Sequence, residues 1–377
     1  MGGDLLTVIV VVATALAFDF TNGFHDTANV VATSISTRAM PPKVAVGYAS
    51  ILNFVGAFIS LEVAATVAND VVEVQANSTG LLAVFGGLVG AIAWNLITWY
   101  FGLPSSSSHA LIGGMVGAVF VAEGPDSVFF LQGIVGKVMV PAIVAPVLAF
   151  VVGGLAIVAL YRIVARLRPA PVVGGFRLGQ VISGGLLALA HGTNDAQKTM
   201  GVITLALVAN GTIAEDNFHV PDWVVITSAT AIALGTYVGG WRIIKTMGSR
   251  IHKMDAAQGF AAQGSGATVI LAASHVGFPL STTQTISGAV IGSGAAKRLS
   301  AVRWGVAGNI VVAWILTLPG AALIGGLTYL VTRAFGTGAV GPIVVSAGIL
   351  VGGGMLFARS REGAPPGVVP APGSSPS

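Results

Sequence analysis

The chain has 377 residues, of which 54% are hydrophobic and only 8% are charged, whereas about 25% of residues are charged in a typical soluble domain. This number of charges is too small to cover a water-facing surface. The composition therefore indicates a polytopic membrane protein and excludes a soluble enzyme or a disordered scaffold. The 18 basic and 14 acidic residues form no basic groove, which excludes nucleic acid as a partner, and the absence of cysteine excludes disulfides and zinc-thiolate sites.

Apolar runs of about 20 residues, the length that crosses a hydrocarbon core, follow one another along the chain. The runs predicted to span the membrane are 5–21, 43–68, 80–102, 129–161, 178–209, 222–247, 304–332 and 340–358, and two more of marginal length are 105–122 and 281–296. No Lys or Arg precedes the first run and no convincing cleavage site follows it. It is therefore predicted to be a retained helix and not a signal peptide.

Charged residues between the runs predict the orientation of the chain. Basic clusters are predicted to be cytoplasmic by the positive-inside rule, and they comprise Arg38 and Lys43, Arg162 to Arg177, Arg242 to Lys253, Lys297 to Arg303, and Arg359 with Arg361. Acidic clusters alternate with them and are predicted to lie outside, namely Asp70 with Glu73, Glu123 with Asp126, and Glu215 with Asp216 and Asp222. We expect a cell-membrane protein with its N-terminus outside and its C-terminus in the cytoplasm.

Two parts of the chain make a pair of apolar passes and return to the same side. One lies between Asp70 and Glu123, the other between Lys253 and Lys297, and each turn carries a proline followed by hydroxyl residues. Two full crossings would leave the far turn without any charge to mark it. Re-entrant hairpins with tips inside the membrane are therefore favoured, the first from outside and the second from inside.

An internal repeat is visible in two pairs of segments that occur in the same order. FTNGFHDTANV (20–30) resembles LAHGTNDAQKT (189–199), and GLPSSSSHALIGGMVGA (102–118) resembles GFPLSTTQTISGAVIGS (277–293), at offsets of 169 and 175. The aligned pairs are His25 with Asn194, Asp26 with Asp195, Asn29 with Lys198, Ser106 with Ser281, Ser107 with Thr282, Ser108 with Thr283, and His109 with Gln284.

The two copies carry their charges on opposite sides, which predicts an inverted repeat. The predicted fold is an all-α polytopic membrane protein with an inverted-topology repeat, interrupted helices and two re-entrant hairpins. Its predicted parts are a first transmembrane repeat over 1–165, a cytoplasmic basic linker over 166–177, a second repeat over 178–358, and a disordered cytoplasmic tail over 359–377. This architecture is typical of secondary transporters, whose substrate lies at the midplane.

The two hairpin tips are predicted to begin helices, because Pro fits a first helical turn and Ser or Thr fits the N-cap. Free backbone N–H groups, the helix dipole and the hydroxyls would then converge on an anion. The residues concerned are Ser105, Ser106, Ser107 and Ser108 in the first tip and Ser281, Thr282 and Thr283 in the second. A polar linker is the ordinary explanation of such runs, but these are embedded between apolar passes and duplicated.

Two acids are predicted to be functional within the membrane. Asp26 and Asp195 each follow a glycine that could interrupt a helix, and an intramembrane carboxylate costs about 2.5–3.5 kcal/mol on insertion scales. The alternative is a structural hydrogen bond between helices. Lys198 lies on the same helical face as Asp195, where it could form an ordinary ion pair or offset the charge of a bound anion.

Other polar residues at membrane depth are candidates for binding or relaying a coupling ion. His25 can carry a proton near neutral pH, while His109 and His191 are weaker candidates for the same role. Neutral ligands and a further acid complete the set, which consists of Asn29, Asn53, Gln197, Asn194 and Glu62. Asp19, like Glu62, has no partner in the repeat, and a structural role explains these two acids as well as a functional one.

GFHDTANVVAT with HGTNDAQKTMG, together with PSSSSHALIG and PLSTTQTISG, resembles the inorganic phosphate transporter family over nearly the whole chain outside the tail. The resemblance implies secondary uptake of inorganic phosphate by a homodimer with this inverted-repeat fold. It also implies that Ser105, Ser106, Ser107, Ser281, Thr282 and Thr283 bind the substrate, with Asp26 and Asp195 at the centre. We expect no cofactor and no enzymatic activity.

The coupling ion is where the sequence departs from one branch of the family. Sodium-coupled members typically read G-A-N-D-V-A-N in the first motif, whereas His25 replaces the Asn here and Lys198 stands at the position that matches Asn29. The pattern is similar to the bacterial proton-coupled branch, in which phosphate can be carried as a neutral complex with magnesium or another divalent cation. Proton symport is therefore the hypothesis, with sodium symport as its alternative.

Phosphate is favoured over sulphate because it retains an O–H that an aspartate can accept, whereas sulphate has none. A sulphate permease of the same fold, an anion channel and a membrane hydrolase built on Ser108 and His109 remain as alternatives. The repeat argues against the hydrolase, since Gln284 is the counterpart of His109.

Overall fold

The computed structural model describes residues 5–214 and 218–361, and within these ranges it contains helices and no strand. The helices are α1 (Leu5–Ser36), α2 (Pro42–Gly56), α3 (Glu62–Asn69), α4 (Ser78–Phe101), α5 (Ser107–Glu123), α6 (Val140–Val164), α7 (Pro169–Ala209), α8 (Asp222–Val238), α9 (Trp241–Lys245), α10 (Ala256–His275), α11 (Thr282–Lys297), α12 (Trp304–Arg333) and α13 (Val340–Arg361). Residues Phe130–Met139 are π-helical and continue into α6. Residues Thr246–Arg250 are π-helical and directly follow α9.

Among the described residues, six helical segments are long and apolar enough to cross a membrane: α1, α4, α6 with its π-helical start, α7, α12 and α13. A seventh is formed if α8 and the segment that starts at Trp241, which meet at an angle of 59°, count as one span. The hairpin helices α5 and α11 have only 17 and 16 residues. The prediction of an all-α polytopic membrane protein is confirmed.

Helix interruptions occur at positions other than the predicted ones. α1 and α7 run unbroken through Gly23 and Gly192, and the breaks fall instead between α2 and α3 and between α8 and α9. The backbone carbonyl of Ile232 in α8 occupies the space that a Cβ at Gly23 would take, and the carbonyl of Asn53 in α2 does the same at Gly192. These two glycines therefore allow close helix packing and do not break their helices.

Several predicted boundaries differ from the observed helices. α7 begins at Pro169, inside the range predicted to be a linker, and α13 continues to Arg361, beyond the predicted start of the tail. Residues 215–217, which include two acids of the third acidic cluster, and the tail from 363 onwards lie outside the described residues.

The helices pack as a central group with a hairpin on each flank. α1, α2, α7 and α8 contact one another in the middle, the α4–α5 hairpin packs against α12, and the α10–α11 hairpin packs against α6. α1 contributes Phe18 to one apolar core and Ala28 to another, and α7 contributes Met200 to the first and Leu187 to the second. A belt of buried polar residues on α1 and α7 lies between the two cores.

Candidate functional site

The hairpin tips are helix starts, as the sequence predicts. Ser106 is the N-cap of α5, where its Oγ accepts the backbone N–H of His109 at 3.1 Å, and Ser281 is the N-cap of α11, where its Oγ accepts the N–H of Gln284 at 3.3 Å. Each tip proline lies two residues before its N-cap and not in the first helical turn. The hydroxyl residues that follow each cap are thereby placed in the first turn of a helix.

The starts of α5 and α11 face each other and are in contact. Ser108 Oγ donates to the backbone carbonyl of Leu280 at 3.3 Å, and Gln284 Nε2 lies 3.2 Å from His109 Nδ1. No more than 4% of any of these residues is exposed. Two helix N-termini, with their dipoles and hydroxyls, therefore converge on one enclosed region.

Asp26 of α1 lies against both tips. Ser107 Oγ donates to its Oδ2 at 2.5 Å and Thr283 Oγ1 donates to its Oδ1 at 3.3 Å. Asn29, one turn further along α1, donates from Nδ2 to Thr283 Oγ1 at 2.9 Å. His25 Nδ1 lies 2.7 Å from Asp26 Oδ1. One carboxylate thus connects α1 to the first turns of α5 and α11.

Asp195 of α7 has the corresponding environment. Thr282 Oγ1 donates to its Oδ2 at 3.1 Å, and Asn194 Nδ2 donates to its Oδ1 at 3.0 Å. Lys198 Nζ donates to Asp195 Oδ1 at 2.5 Å, to Ser108 Oγ at 2.6 Å and to the carbonyl of Leu280 at 2.8 Å. This lysine is only 1% exposed, so its charge is compensated inside the protein and not by water.

Contacts at aligned positions match between the two halves. Each aspartate accepts from the hydroxyl of its own half, Ser107 or Thr282. Asn29 and Lys198, which are aligned, each donate to a hydroxyl of the other half. The halves differ mainly in chemistry, because a neutral amide on one side stands where an ammonium stands on the other.

Ser105 is one step removed from the aspartate. Its Oγ donates to Thr98 Oγ1 at 2.8 Å, and that hydroxyl lies 3.1 Å from His25 Nε2. Because His25 contacts Asp26 through its other ring nitrogen, a polar chain connects Ser105 to Asp26 through Thr98 and His25. Thr98 had no signal in the sequence.

Two predicted ion ligands lie apart from the carboxylates. Glu62 is exposed at the first residue of α3, so it does not join the buried cluster. Gln197 Oε1 accepts the backbone N–H of Val63 at 2.8 Å and thereby caps the start of α3. The break that ends α2 places Glu62 at a helix start and not in the middle of a span.

His191 lies closer to the acids than the sequence suggested. Its Nε2 is 3.0 Å from Asp195 Oδ2 and its Nδ1 is 3.2 Å from Asn53 Oδ1, while Asn53 Nδ2 donates to Thr236 Oγ1 at 2.8 Å. The i,i+4 spacing of His191 and Asp195 is the signal that could have identified this contact.

Asp19 is a further buried acid that was not included in the predicted site. It is 0% exposed and lies on α1 two turns before Asp26, and Asn22 falls between them at helical spacing. This stripe of polar residues on α1 is a signal for including Asp19 in the site, whereas the absence of a partner in the second repeat is a signal against including it.

Three side chains of the cluster could hold one cation. Asp26, His191 and Asp195 each offer a ligand atom, and all three atoms lie within 4.8 Å of one another. The two carboxylates have one ammonium partner, Lys198. The cluster therefore carries a net negative charge when its histidines are neutral. An anion could therefore bind here only if protons or a cation neutralise part of that charge.

Comparison with known sequences identifies the chain. The sequence profile of the phosphate transporter family matches residues 22–325, which covers both tips and both acids. The chain belongs to this family. It is therefore a multi-pass membrane transporter and not an enzyme. Consistent with this, Ser108 donates to a backbone carbonyl and not to His109, so these two residues form no Ser-His pair.

Relatives of the chain carry the same description in several bacteria. Proteins named "Probable low-affinity inorganic phosphate transporter" are 50% identical over 362 residues in Mycobacterium leprae (96% of this chain, 86% of the relative) and 42% identical over 331 residues in Bacillus subtilis (87% and 97%). A solved structure described as "The sodium-dependent phosphate transporter" is 25% identical, with a TM-score of 0.76 over 87% of this chain and 99% of that one.

Proposed function

We propose that this transporter imports inorganic phosphate by proton symport, with alternating access to a site between the two hairpin tips. The observation that carries the proposal is the meeting of two helix N-termini, lined by Ser107, Ser108, Thr282 and Thr283, at two buried aspartates. The names of the bacterial relatives support phosphate as the substrate. The family membership supports transport.

The hydrogen-bonding pattern supports a tetrahedral oxyanion that carries its own proton. The hydroxyl hydrogens of Ser107, Thr282 and Thr283 now point to carboxylate oxygens. A phosphate between the tips would accept those hydrogens, and the freed carboxylates would accept the O–H of the phosphate. Sulphate offers no such hydrogen and would only be repelled by Asp26 and Asp195.

Proton coupling is supported by what already surrounds the acids. Lys198 donates to Asp195, so a cation of the protein itself already compensates one of the two carboxylates. On the other side the imidazole of His25, a side-chain type that can carry a proton, contacts Asp26. Sodium symport is the second candidate, because the similar solved structure is described as sodium-dependent.

A divalent cation is proposed as an optional companion of the phosphate. The ligand atoms of Asp26, His191 and Asp195 are close enough to share one ion. Magnesium prefers oxygen ligands and is usually held by one or two carboxylates together with phosphate oxygens, which suits a metal-phosphate complex taken up as one neutral substrate.

Alternating access is supported by the enclosure of the site. Asp26, Asp195 and the hydroxyl residues of both tips are at most 3% exposed, so neither side of the protein offers an open path to them. We propose that the tips separate toward one side and then the other. Homodimer assembly, an outside N-terminus and a cytoplasmic C-terminus complete the proposal, and they can be checked by mass photometry and by labelling of single cysteines in intact cells.

The decisive experiment is uptake of labelled phosphate by the purified full chain in proteoliposomes, with sodium, the pH gradient and magnesium varied independently. We expect concentrative uptake driven by an inward proton gradient in sodium-free buffer, and inhibition by excess phosphate but not by sulphate. Uptake that requires sodium and ignores the pH gradient would support the second candidate. Flux that never exceeds equilibration would indicate a channel and contradict symport.

A further inference from the structure

Asp19 is a buried acid outside the contacts of the two tips. It lies on α1 seven residues before Asp26, which corresponds to roughly 10 Å along the helix axis. It is 0% exposed, and Asn22 of α1 and Thr199 of α7 lie beside its carboxylate. The site therefore forms where α1 and α7 pack together.

The carboxylate of Asp19 is buried with few hydrogen bonds. Asn22 and Thr199 lie beside it and carry donors, yet neither carboxylate oxygen receives a hydrogen bond of good geometry, and Asn22 Oδ1 and Thr199 Oγ1 have no partner. Asn22 and Thr199 are no more than 1% exposed, so water does not satisfy these atoms. A buried carboxylate in such surroundings costs free energy unless a proton or a cation joins it.

The nearby lysine does not contact Asp19. Among the residues that the structure describes, Asp195 and Lys198, both on α7, are the charged groups that act on Asp19. The three hydrogens of the Lys198 ammonium are directed at Asp195, Ser108 and the carbonyl of Leu280. The lysine therefore affects Asp19 through its field alone.

We propose that Asp19, with Asn22 and Thr199, binds the coupling proton at a site separate from the phosphate-binding tips. This inference rests on the proposed proton symport. A proton that arrives from the outer water converts the carboxylate to a carboxyl, whose O–H donates to Asn22 Oδ1 or Thr199 Oγ1. The same proton leaves to the cytoplasm after the site changes sides.

Protonation at Asp19 favours phosphate binding through electrostatics. It removes one negative charge close to Asp195, and an anion between the tips is then less strongly repelled. Linkage requires the converse, so bound phosphate raises the proton affinity of Asp19. This reciprocity couples the two fluxes without direct contact between proton and phosphate.

The test compares wild type with Asp19→Asn, which mimics the neutral carboxyl, in proteoliposomes. Two rates are measured for each protein: accumulation of labelled phosphate driven by a pH gradient, and exchange of labelled for unlabelled phosphate at equal pH. We expect the ratio of accumulation to exchange to fall at least about tenfold in the variant, within the usual range of coupling between sites. Phosphate affinity should also lose most of its dependence on pH.

A second readout does not depend on transport. Infrared difference spectra between acid and neutral pH should contain the carbonyl band of a buried protonated carboxyl in wild type, and Asp19→Asn should lack it. A matched pair provides the control: Thr199→Val removes a hydroxyl next to Asp19, whereas Thr204→Val removes an equally buried hydroxyl that donates to Met200 instead. We expect the first of the pair, and not the second, to reduce the accumulation ratio.

The results that would contradict this inference differ from those that would contradict the proposed function. If Asp19→Asn keeps the wild-type ratio and the infrared band, the proton binds elsewhere while phosphate-proton symport stands. If the wild type itself shows sodium-driven uptake without response to a pH gradient, proton symport is wrong and so is the role of Asp19. If the wild type moves no phosphate under any gradient, the proposed substrate is wrong.

Discussion

Asn29 and Lys198 occupy aligned positions on α1 and α7, and each donates to a hydroxyl on the tip of the other half. One is a neutral amide and the other a permanent cation. The contact is thus the same in both halves while the charge differs. Under the proposed symport, Lys198 therefore bears on how many mobile cations the two aspartates require.

We expect Lys198→Met to reduce phosphate uptake at least about tenfold and to lower stability. Removing one partner of a buried ion pair leaves an uncompensated charge, which typically costs about 3–5 kcal/mol. Uptake in proteoliposomes and the apparent Tm in detergent measure the two effects.

The matched control for this variant is Lys137→Met. Lys137 pairs with Asp70 at 3.5 Å, but the two side chains are 39% and 43% exposed, so the loss should stay below about 1 kcal/mol. Equal effects of the two variants would show that the burial of Lys198 is not what matters.

The residues of the tips could be predicted from the sequence because duplication and an apolar context made the hydroxyl runs stand out. Duplication does not point to Asp19, which is buried but has no counterpart in the second copy. The apolar context misplaced Glu62, which is exposed. A long-range partner such as Thr98 could not be found, because its contact with His25 depends on how α4 packs against α1 and not on any local pattern.

Helix packing around the site relies on two glycines whose Cβ positions are taken by a neighbouring backbone. Ala at Gly23 would meet the carbonyl of Ile232, and Ala at Gly192 would meet that of Asn53. We expect Gly23→Ala and Gly192→Ala each to destabilise by about 1–3 kcal/mol, the usual cost of overpacking. The apparent Tm and the proportion of monodisperse protein on gel filtration measure the loss.

A control at Gly47 separates packing from helix propensity. A Cβ there has nothing within 4 Å, and α2 is helical at that position. Gly47→Ala should therefore be neutral or stabilise by about 0.5–1 kcal/mol. A loss at Gly47 as large as at Gly23 would contradict the packing explanation.

Asp255, which lies outside the spans at the start of α10, connects three helices. Its carboxylate accepts from Tyr161 of α6 at 2.6 Å, from Lys297 of α11 at 2.9 Å and from the backbone N–H of Gln258 at 2.9 Å. Burial alone would raise the pKa of Asp255, but these hydrogen bonds and the lysine charge outweigh it and lower the pKa below its ordinary value.

A lowered pKa in the folded state means that the charged carboxylate stabilises the fold at neutral pH. That contribution is present above the unfolded-state pKa of about 3.9 and is lost as the pH falls through the lower folded-state value. We expect Asp255→Asn, which can still cap α10, to lower the apparent Tm near neutral pH by an amount equivalent to about 0.5 kcal/mol, because the ion pair is half exposed. The gap between variant and wild type should close progressively in acid, and a gap independent of pH would contradict this.

Hydropathy located most of the apolar segments, whereas the number of helices and the places where they break could not be predicted. The predicted span 43–68 divides into α2 and α3, and α10 was not among the predicted runs. Glycine before an acid suggested a break, yet α1 and α7 continue because other helices pack on those glycines. Length and composition indicate that a segment can cross a membrane, but the packing partner decides whether a glycine ends a helix or lies at a contact.

At the scale of the whole molecule, the proposed alternating access requires the two tips to separate. His109 of α5 and Gln284 of α11 touch at 3.2 Å, and the chain contains no cysteine, so introduced thiols are the only ones present. We expect a short reversible bis-thiol reagent to stop phosphate uptake by the double variant His109→Cys with Gln284→Cys, and a reductant to restore it.

Each single cysteine variant serves as the control, since it can bind the reagent but cannot join the tips. Comparison within one protein, before and after the reagent, removes the effect of the substitutions themselves. Undiminished uptake by fully cross-linked protein would show that the tips move as one body.

The hydroxyls of Ser107, Thr282 and Thr283 each donate to one of the two aspartates. Under the proposed alternating access, these pairs would keep all three donors satisfied during the return of an empty carrier, which should therefore cost little. A carrier loaded with the anion but no neutralising cation would lack this balance, because its carboxylates would face negative charge. The proposal thus predicts that slippage of anion alone is suppressed by the same groups that ease the empty return.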